Sequence, residues 1–303
     1  MSSLREVKDR IASVRSTLKI TSAMKLVASS KLRKAQRTIE SLRPYASTLQ
    51  EIYAAVAGEA AVMSAGDCPP GPFPHVLWAL EDTPQRPEPT VVLAFSSNSS
   101  MCGAFNVNVI KQTLELIKQK RTQGTPVEVW AFGRKMAEAL RKNGTPAARD
   151  YTSIVAHPDY AALSEVAAEL RNLHAGGRIA GVELVYTHFV STGRQQVVTE
   201  DWLKQETLSA AVEDGTPQKG LYIMEPSARE LLETLRPQVL DLLLYAALLD
   251  SAAAEHAARM VAMQAATDNG EQLLSELTLE YNKGRQQKIT SEILDLVSGA
   301  ESS

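Results

Sequence analysis

Aromatic side chains are scarce: Phe, Trp and Tyr make up 5% of the 303 residues. A surface that stacks unpaired bases needs more of them, so none is expected. Cysteine is scarcer still. Cys68 and Cys102 stand 34 positions apart and form no CxxC, so neither a disulfide scaffold nor a structural zinc site is indicated. They read as free thiols in a reducing compartment. Excess positive charge is also missing. Thirty-two Lys and Arg face 35 Asp and Glu, a net of −3, which argues against holding nucleic acid by bulk charge. The longest nearly apolar stretch, Val239–Leu249, contains Asp241 and is about half a membrane span, so the chain is not expected to cross a bilayer by itself. The first 20 residues hold Arg5, Lys8, Arg10, Arg15 and Lys19 and lack the apolar run of a secretory leader. What remains is globular composition, 44% apolar and 22% charged, in a chain long enough for two domains or for one domain with appendages.

Chemical signatures are missing as well. There is no GxGxxG, GxxxxGK[ST], GxSxG or HExxH. The five histidines, His75, His157, His174, His188 and His256, are scattered without a second ligand at metal spacing. The Ser-rich turn Ser96–Gly103 precedes a helical pattern; such turns cap helices more often than they bind phosphate. Cys102 in that turn reads as a packed thiol. No catalytic residue, cofactor site or metal site is assigned.

Periodicity is abundant. Alternating steps of three and four from Leu4 run through Val7, Ile11, Val14, Leu18, Thr21, Lys25, Ala28, Leu32, Ala35, Ile39, Leu42, Ala46, Leu49, Tyr53 and Val56, and only Thr21 and Lys25 break the apolar row. A seven-residue repeat of that length predicts a helix supercoiled against a partner, loosened or kinked at Pro44. A second row begins at the capping box Ser227/Glu230: Leu232, Leu235, Val239, Leu242, Ala246, Leu249, Ala253, Met260, Met263, Leu274, Leu277 and Tyr281. Propensity alone breaks this second helix at Asp268-Asn269-Gly270 and predicts a helical hairpin there. Residues 1–43 carry a net of +8 and residues 227–303 a net of −6, which favours pairing of the two ends. Lys25, Lys31, Arg33, Lys34 and Arg37 would decorate the first helix, either as a solvated face or as a collar for an acidic partner.

Between the ends, residues 58–89 are punctuated by Gly and Pro and read as a connector without a long helix. Residues 90–203 then alternate strand-like runs (Thr90–Ser96, Val127–Phe132, Val182–Val190, Gln196–Leu203) with helical ones (Asn106–Arg121, Lys135–Lys142, Tyr160–His174). The expected fold is α/β: a long antiparallel coiled coil of the N- and C-terminal helices with a small central domain, Rossmann-like and with a mostly parallel sheet. Its expected parts are an N-terminal coiled-coil helix (1–57), a connector (58–89), the α/β domain (90–220) and a C-terminal coiled-coil helix (221–303).

Both ends carry a resemblance. Residues 10–28, Arg10-Ile11-Ala12-Ser13-Val14-Arg15-Ser16-Thr17-Leu18-Lys19-Ile20-Thr21-Ser22-Ala23-Met24-Lys25-Leu26-Val27-Ala28, resemble the amino-terminal helix of the γ subunits of F-type ATP synthases. Ile289-Thr290-Ser291-Glu292-Ile293-Leu294-Asp295-Leu296-Val297-Ser298-Gly299-Ala300 is similar to that family's carboxyl-terminal signature, and Ala258–Gly270 and Tyr281–Gln286 fit too. Where the family usually has Asp-Arg-Gly-Leu, this chain has Asn98-Ser99-Ser100-Met101, without two charges and a glycine. The resemblance implies a non-catalytic central rotor of a proton-translocating complex, with three α, three β and one γ chain, an ε subunit and a membrane c-ring. It implies a peripheral place on the cytoplasmic face of the bacterial inner membrane, an unbroken second helix and no bound nucleic acid. It implies that Met24, Lys25, Arg259, Gln286 and Thr290 meet the β subunits, and that Tyr222 and Glu225 meet the c-ring and ε. The alternatives from the residues alone are an α/β small-molecule-binding enzyme with helical dimerisation arms and a basic-helix nucleic-acid binder.

Overall fold

The computed structural model describes residues 4–66, 88–204 and 224–301, with the helical backbone alone for 58–66 and 295–301. In chain order the elements are α1 (Leu4–Gly66), β1 (Thr90–Phe95), α2 (Phe105–Thr122), β2 (Val127–Phe132), α3 (Arg134–Lys142), β3 (Arg149–Asp150), α4 (Thr152–Ala156), α5 (Tyr160–Ala175), β4 (Gly181–Ser191), β5 (Arg194–Asp201) and α6 (Ala228–Glu301). They form two compact units, one of Met1–Ser30 with Arg259–Ser303 and one of Lys31–Ala258, and both long helices contribute to each.

The larger unit is built on a sheet of order β3-β2-β1-β4-β5. β1 pairs in parallel with β2 and β4, β2 with β3, and β4 runs antiparallel to β5. β1 is buried on both faces, which is why its sequence TVVLAF shows no alternation. Val91, Leu93 and Phe95 point to one face, into a core shared with Ile154 of α4, Leu163, Val166 and Leu170 of α5, Leu49 and Tyr53 of α1, and Val239, Leu240 and Leu244 of α6. Val92 and Ala94 point to the other face, against Val109 and Ile117 of α2 and Met136 and Leu140 of α3. Burying each of these large side chains contributes roughly 1.5–3 kcal/mol. The apolar run Val239–Leu249 is therefore core: Val239, Leu240, Leu242, Leu244, Ala247, Leu248 and Leu249 are all buried, and the Leu240 carbonyl accepts the indole N–H of buried Trp202 at 3.0 Å.

The Ser-rich turn after β1 is tied up by its own bonds. The Ser97 amide donates to Asn106 Oδ1 at 3.0 Å, and Asn106 Nδ2 donates back to Ser97 Oγ at 2.8 Å. Asn98 Nδ2 donates to the Thr152 carbonyl at 2.9 Å, while Asn98 Oδ1 accepts the Arg134 amide at 3.0 Å. Asn98 thus joins the turn to the starts of α3 and α4, a brace for which a neutral amide with both a donor and an acceptor suffices. Met101 takes a positive φ of 65° and Gly103 one of 58° as the chain turns into α2. Ser96 Oγ accepts the Met136 amide at 2.9 Å, and the close approach this needs falls on Gly133, where a Cβ would lie 2.2 Å from the Ser96 carbonyl oxygen.

Two carboxylates of α6 tie that helix to the sheet unit. Asp241 pairs with Arg171 of α5. Asp250 accepts the Phe189 amide at 3.0 Å and meets His188 Nδ1. Burial raises the Asp250 carboxyl above its ordinary range against the opposing pull of those two hydrogen bonds, and burial likewise outweighs Arg171 at Asp241.

The smaller unit is an antiparallel helix pair. Leu18 of α1 packs on Gly270 of α6, Leu4 packs on Gly284, and the Thr21 and Thr267 hydroxyl oxygens lie 3.0 Å apart. The two positions that break the first apolar row are matched across the seam: Thr21 by Thr267, and Lys25 by Gln264, whose Oε1 accepts from Nζ at 2.7 Å. Every position in both apolar rows is buried or half-buried.

Two expectations change. The helical hairpin that propensity alone predicts at Asp268-Asn269-Gly270 does not form, and the second helix is unbroken as the resemblance implies. α6 runs unbroken through the triplet because Gly270 is needed as a socket for Leu18, where a Cβ would sit 2.7 Å from Leu18 Cδ2. α1 continues to Gly66 through the first part of the predicted connector. Residues 59–65 contain no proline, and the single Gly58 costs a helix only about 1 kcal/mol; residues 67–87 of that connector lie outside the described residues. Pro44 and Pro237 lie inside their helical spans. Finally, the short β3 and α4 escaped periodicity, having two and five residues.

Two outcomes test these contacts. Gly133→Ala should lower unfolding stability in urea by about 2–3 kcal/mol, because positive φ and the Ser96 carbonyl both oppose a side chain. Gly181→Ala, with nothing within 4 Å of its Cβ, should be close to neutral. Native Asp250 binds its proton more tightly than the unfolded chain does. Its stabilising share is complete below the ordinary aspartate value near about pH 4 and is lost as pH rises through the raised native value. Asp250→Asn should therefore lose less stability than the parent between about pH 4 and pH 7. Equal slopes would mean that this carboxyl is not desolvated.

Candidate functional site

The helix pair presents an unusual surface for so few residues. Ile20, Leu26 and Val27 of α1 and Val261, Leu273, Leu279, Ile289, Ile293 and Leu294 of α6 are all exposed, with Leu26 and Leu279 at 68%. Nine of the fourteen large exposed apolar side chains among the described residues thus lie in this unit. The cause is geometric. Two helices bury one stripe each against the other, and any apolar residue off that stripe faces outward. Exposed apolar side chains concentrated in one unit in this way mark an interaction surface.

Polar groups are set into it at one level. Lys25 is half-buried and bound to Gln264, and Gln264 Nε2 in turn donates to Asp268 Oδ1 at 2.6 Å. A cation, an amide and a carboxylate from two chain ends therefore form one hydrogen-bonded row. Met24 beside Lys25 is half-buried, and so is Arg259, about 8 Å further along α6 from Gln264. Gln286 and Thr290 are exposed and one helical turn apart, with the Thr290 hydroxyl donating to the Gln286 carbonyl at 3.0 Å. They lie about 33 Å along α6 from Gln264, so the pair forms two separate polar stations instead of one cluster. Glu225 is exposed just ahead of α6, and Tyr222 lies outside the described residues.

Sequence reasoning missed Gln264, Thr267 and Asp268. Their signal was present. The apolar row of α6 lapses between Met263 and Leu274, on the same level at which the row of α1 lapses at Thr21 and Lys25.

In the sheet unit the Ser-rich turn commits Ser96, Ser97, Asn98 and Asn106 to internal bonds. A cavity of about 420 Å³ opens between α1, β4, β5 and α6, lined by Leu42, Tyr186, Glu200, Trp202 and Asp250 among others. Tyr186 donates to Glu200 there at 3.1 Å, and burial drives its phenol well above the ordinary range.

A sequence profile of the ATP synthase family matches residues 3–302. The ATP synthase gamma chain of Bacteroides fragilis is 42% identical over 304 residues, covering 99% of each chain, and that of Desulfotalea psychrophila is 37% identical over 302 residues with the same coverage. In fold, the chain is similar to the rotor of the Euglena gracilis mitochondrial ATP synthase (TM-score 0.59, 15% identity, 94% of this chain and 98% of that one). It is also similar to a chain of the central stalk and c-ring assembly of the Tetrahymena thermophila enzyme (TM-score 0.54, 20% identity, 82% and 99%). A family profile over residues 3–302 and identity at this level over 99% of both chains place the chain in the ATP synthase gamma-chain family.

Proposed function

We propose that the chain is the central rotor of an F-type ATP synthase, turned by a membrane c-ring and turning inside a ring of three α and three β subunits. The observation that carries this reading is the apolar and hydrogen-bonding surface of the helix pair, which leaves Leu26, Leu279, Ile293 and Leu294 uncovered. A sleeve of other subunits would bury it. Chemistry belongs to that sleeve, and this chain makes no bond itself.

Torque needs a shaft whose sides differ, since a rotor biases only those partner states that it binds unequally. The helix pair has such sides. Lys25, Gln264 and Asp268 mark one level, with Met24 and Arg259 near them, and Gln286 and Thr290 mark a second. These positions, Met24, Lys25, Arg259, Gln286 and Thr290, would meet acidic loops of the β subunits. Such contacts steer and discriminate more than they add affinity, and they weaken with salt. Tyr222 and Glu225 would serve the c-ring and ε, with the whole assembly on the cytoplasmic face of the bacterial inner membrane and protons as the driving ion.

Reconstitution of α and β with and without this chain tests the reading. The chain should raise ATP hydrolysis and bind at one copy per three α and three β. Equal rates with and without it would sink the proposal. Arg259→Ala and Gln286→Ala should each lower ATP-driven proton pumping by about tenfold, the size of one lost charge-assisted contact, with the thermal midpoint unchanged. Unfolding of either variant would instead make the residue part of the core.

A further inference from the structure

We infer that Leu18, Gly270, Gly284 and the Thr21–Thr267 pair are positioning residues: they hold α1 and α6 at a single axial register, and that register decides which side chains of the two helices share a level on the outside of the pair. The part of this that concerns turnover rests on the rotor reading above.

Three contacts obey one rule. Fourteen residues up α1, from Leu4 to Leu18, correspond to fourteen residues down α6, from Gly284 to Gly270, and three more on each helix reach Thr21 and Thr267. Fourteen is two heptads, so both glycines recur on the seam. An apolar seam of Leu, Val, Ile and Ala is by itself nearly periodic, and sliding one helix by a heptad would keep apolar against apolar. The glycines and threonines remove that degeneracy. A slide of seven residues would put Leu18 against Leu277 or Met263 in place of a socket, and Thr21 against Leu274 or Met260 in place of a hydroxyl. The glycines themselves disfavour helix, each by about 1 kcal/mol relative to Ala, so their place in the longest helix of the chain calls for a packing reason. The contacts supply it: an added Cβ would sit 2.7 Å from Leu18 Cδ2 at Gly270 and 3.0 Å from Leu4 Cδ2 at Gly284. At Thr21 and Thr267 the hydroxyls also lie within reach of the carbonyls of Leu18 and Met263, so one proton can be given across the seam and the other to a helix carbonyl, and the buried pair leaves neither hydroxyl unsatisfied.

The outer surface depends on this. Lys25 and Gln264 come from positions 239 apart in the chain and meet only in this register. A one-heptad slide moves α6 by about 10 Å, which parts them and carries Asp268 and Arg259 away from Lys25.

The test uses the full chain assembled with α and β, in a Cys68→Ser, Cys102→Ala background. A Val14→Cys, Leu274→Cys chain should form a disulfide on oxidation, and a Val14→Cys, Tyr281→Cys chain, one heptad out, should not. Adding Gly270→Leu should cut the yield of the first pair by at least about threefold, and adding Leu18→Ala as well should restore it, as expected of two residues that share one contact. If Gly270→Leu fails to assemble, Gly284→Leu with and without Leu4→Ala gives the same reading near the other end of the seam. An undiminished yield in both glycine variants, or a loss that the alanine partners do not rescue, overturns the inference. Proton pumping per ATP hydrolysed is read on the same proteins. It should fall and recover in step with the cross-link. A cross-link that shifts while pumping stays unchanged overturns the functional half through the rotor reading beneath it, and the register then stands on the cross-links alone.

Discussion

In the unit formed by the two chain ends, each helix has one stripe to bury and one neighbour to bury it against. The seam between α1 and α6 is therefore the constraint on which the rest of that unit depends. Its layers are thin by the standard of a globular core. Val7, Ala28, Met263 and Leu277 are buried, but Leu4, Ile11, Val14, Leu18 and Leu274 are only partly covered. Such a seam holds two helices together without covering them. The apolar residues left outside it, Leu26, Leu279 and Ile293 among them, are the surface that the proposed rotor role assigns to other subunits.

The sheet unit follows a different logic. Its central strand is covered on both faces, and its largest side chains, Trp130, Trp202, Phe95 and Phe132, are almost fully enclosed. The inner segments of both long helices enter that core with Leu49 and Tyr53 on one side and Val239, Leu240 and Leu244 on the other. The turn after β1, where a doubly wound fold often holds a ligand, is instead braced by Asn98 between α3 and α4. Asn98, at the turn where the resemblance implies Asp-Arg-Gly-Leu, thus has a structural use in this chain. A neutral amide both accepts from the Arg134 backbone and donates to the Thr152 carbonyl, which a carboxylate could not do.

Much of the fold was legible because periodicity is a one-dimensional trace of burial. The two apolar rows, the capping box at Ser227 and Glu230, whose amide–hydroxyl contact is 3.3 Å, and four of the five strands were all readable from local pattern. The errors also share a cause. Asp268-Asn269-Gly270 and the glycine at 58 were read as breaks from their own preferences. In the folded chain a contact 252 positions away gives Gly270 a use, and good helix formers carry α1 past Gly58. β3 and α4 are too short for any period to register.

Sequence alone determined that there would be two long helices with matched stripes, a small sheet between them and no local signature of bond-making chemistry, because each of these is written in residues close together along the chain. It showed the polar lapse at Thr21 and Lys25 and held, unread, its counterpart at Gln264–Gly270. Only the tertiary structure decided that these lapses face each other, because a heptad pattern is the same after every slide of seven residues. A socket such as Gly270 or a hydroxyl such as that of Thr267 acquires its meaning from the side chain that arrives opposite it.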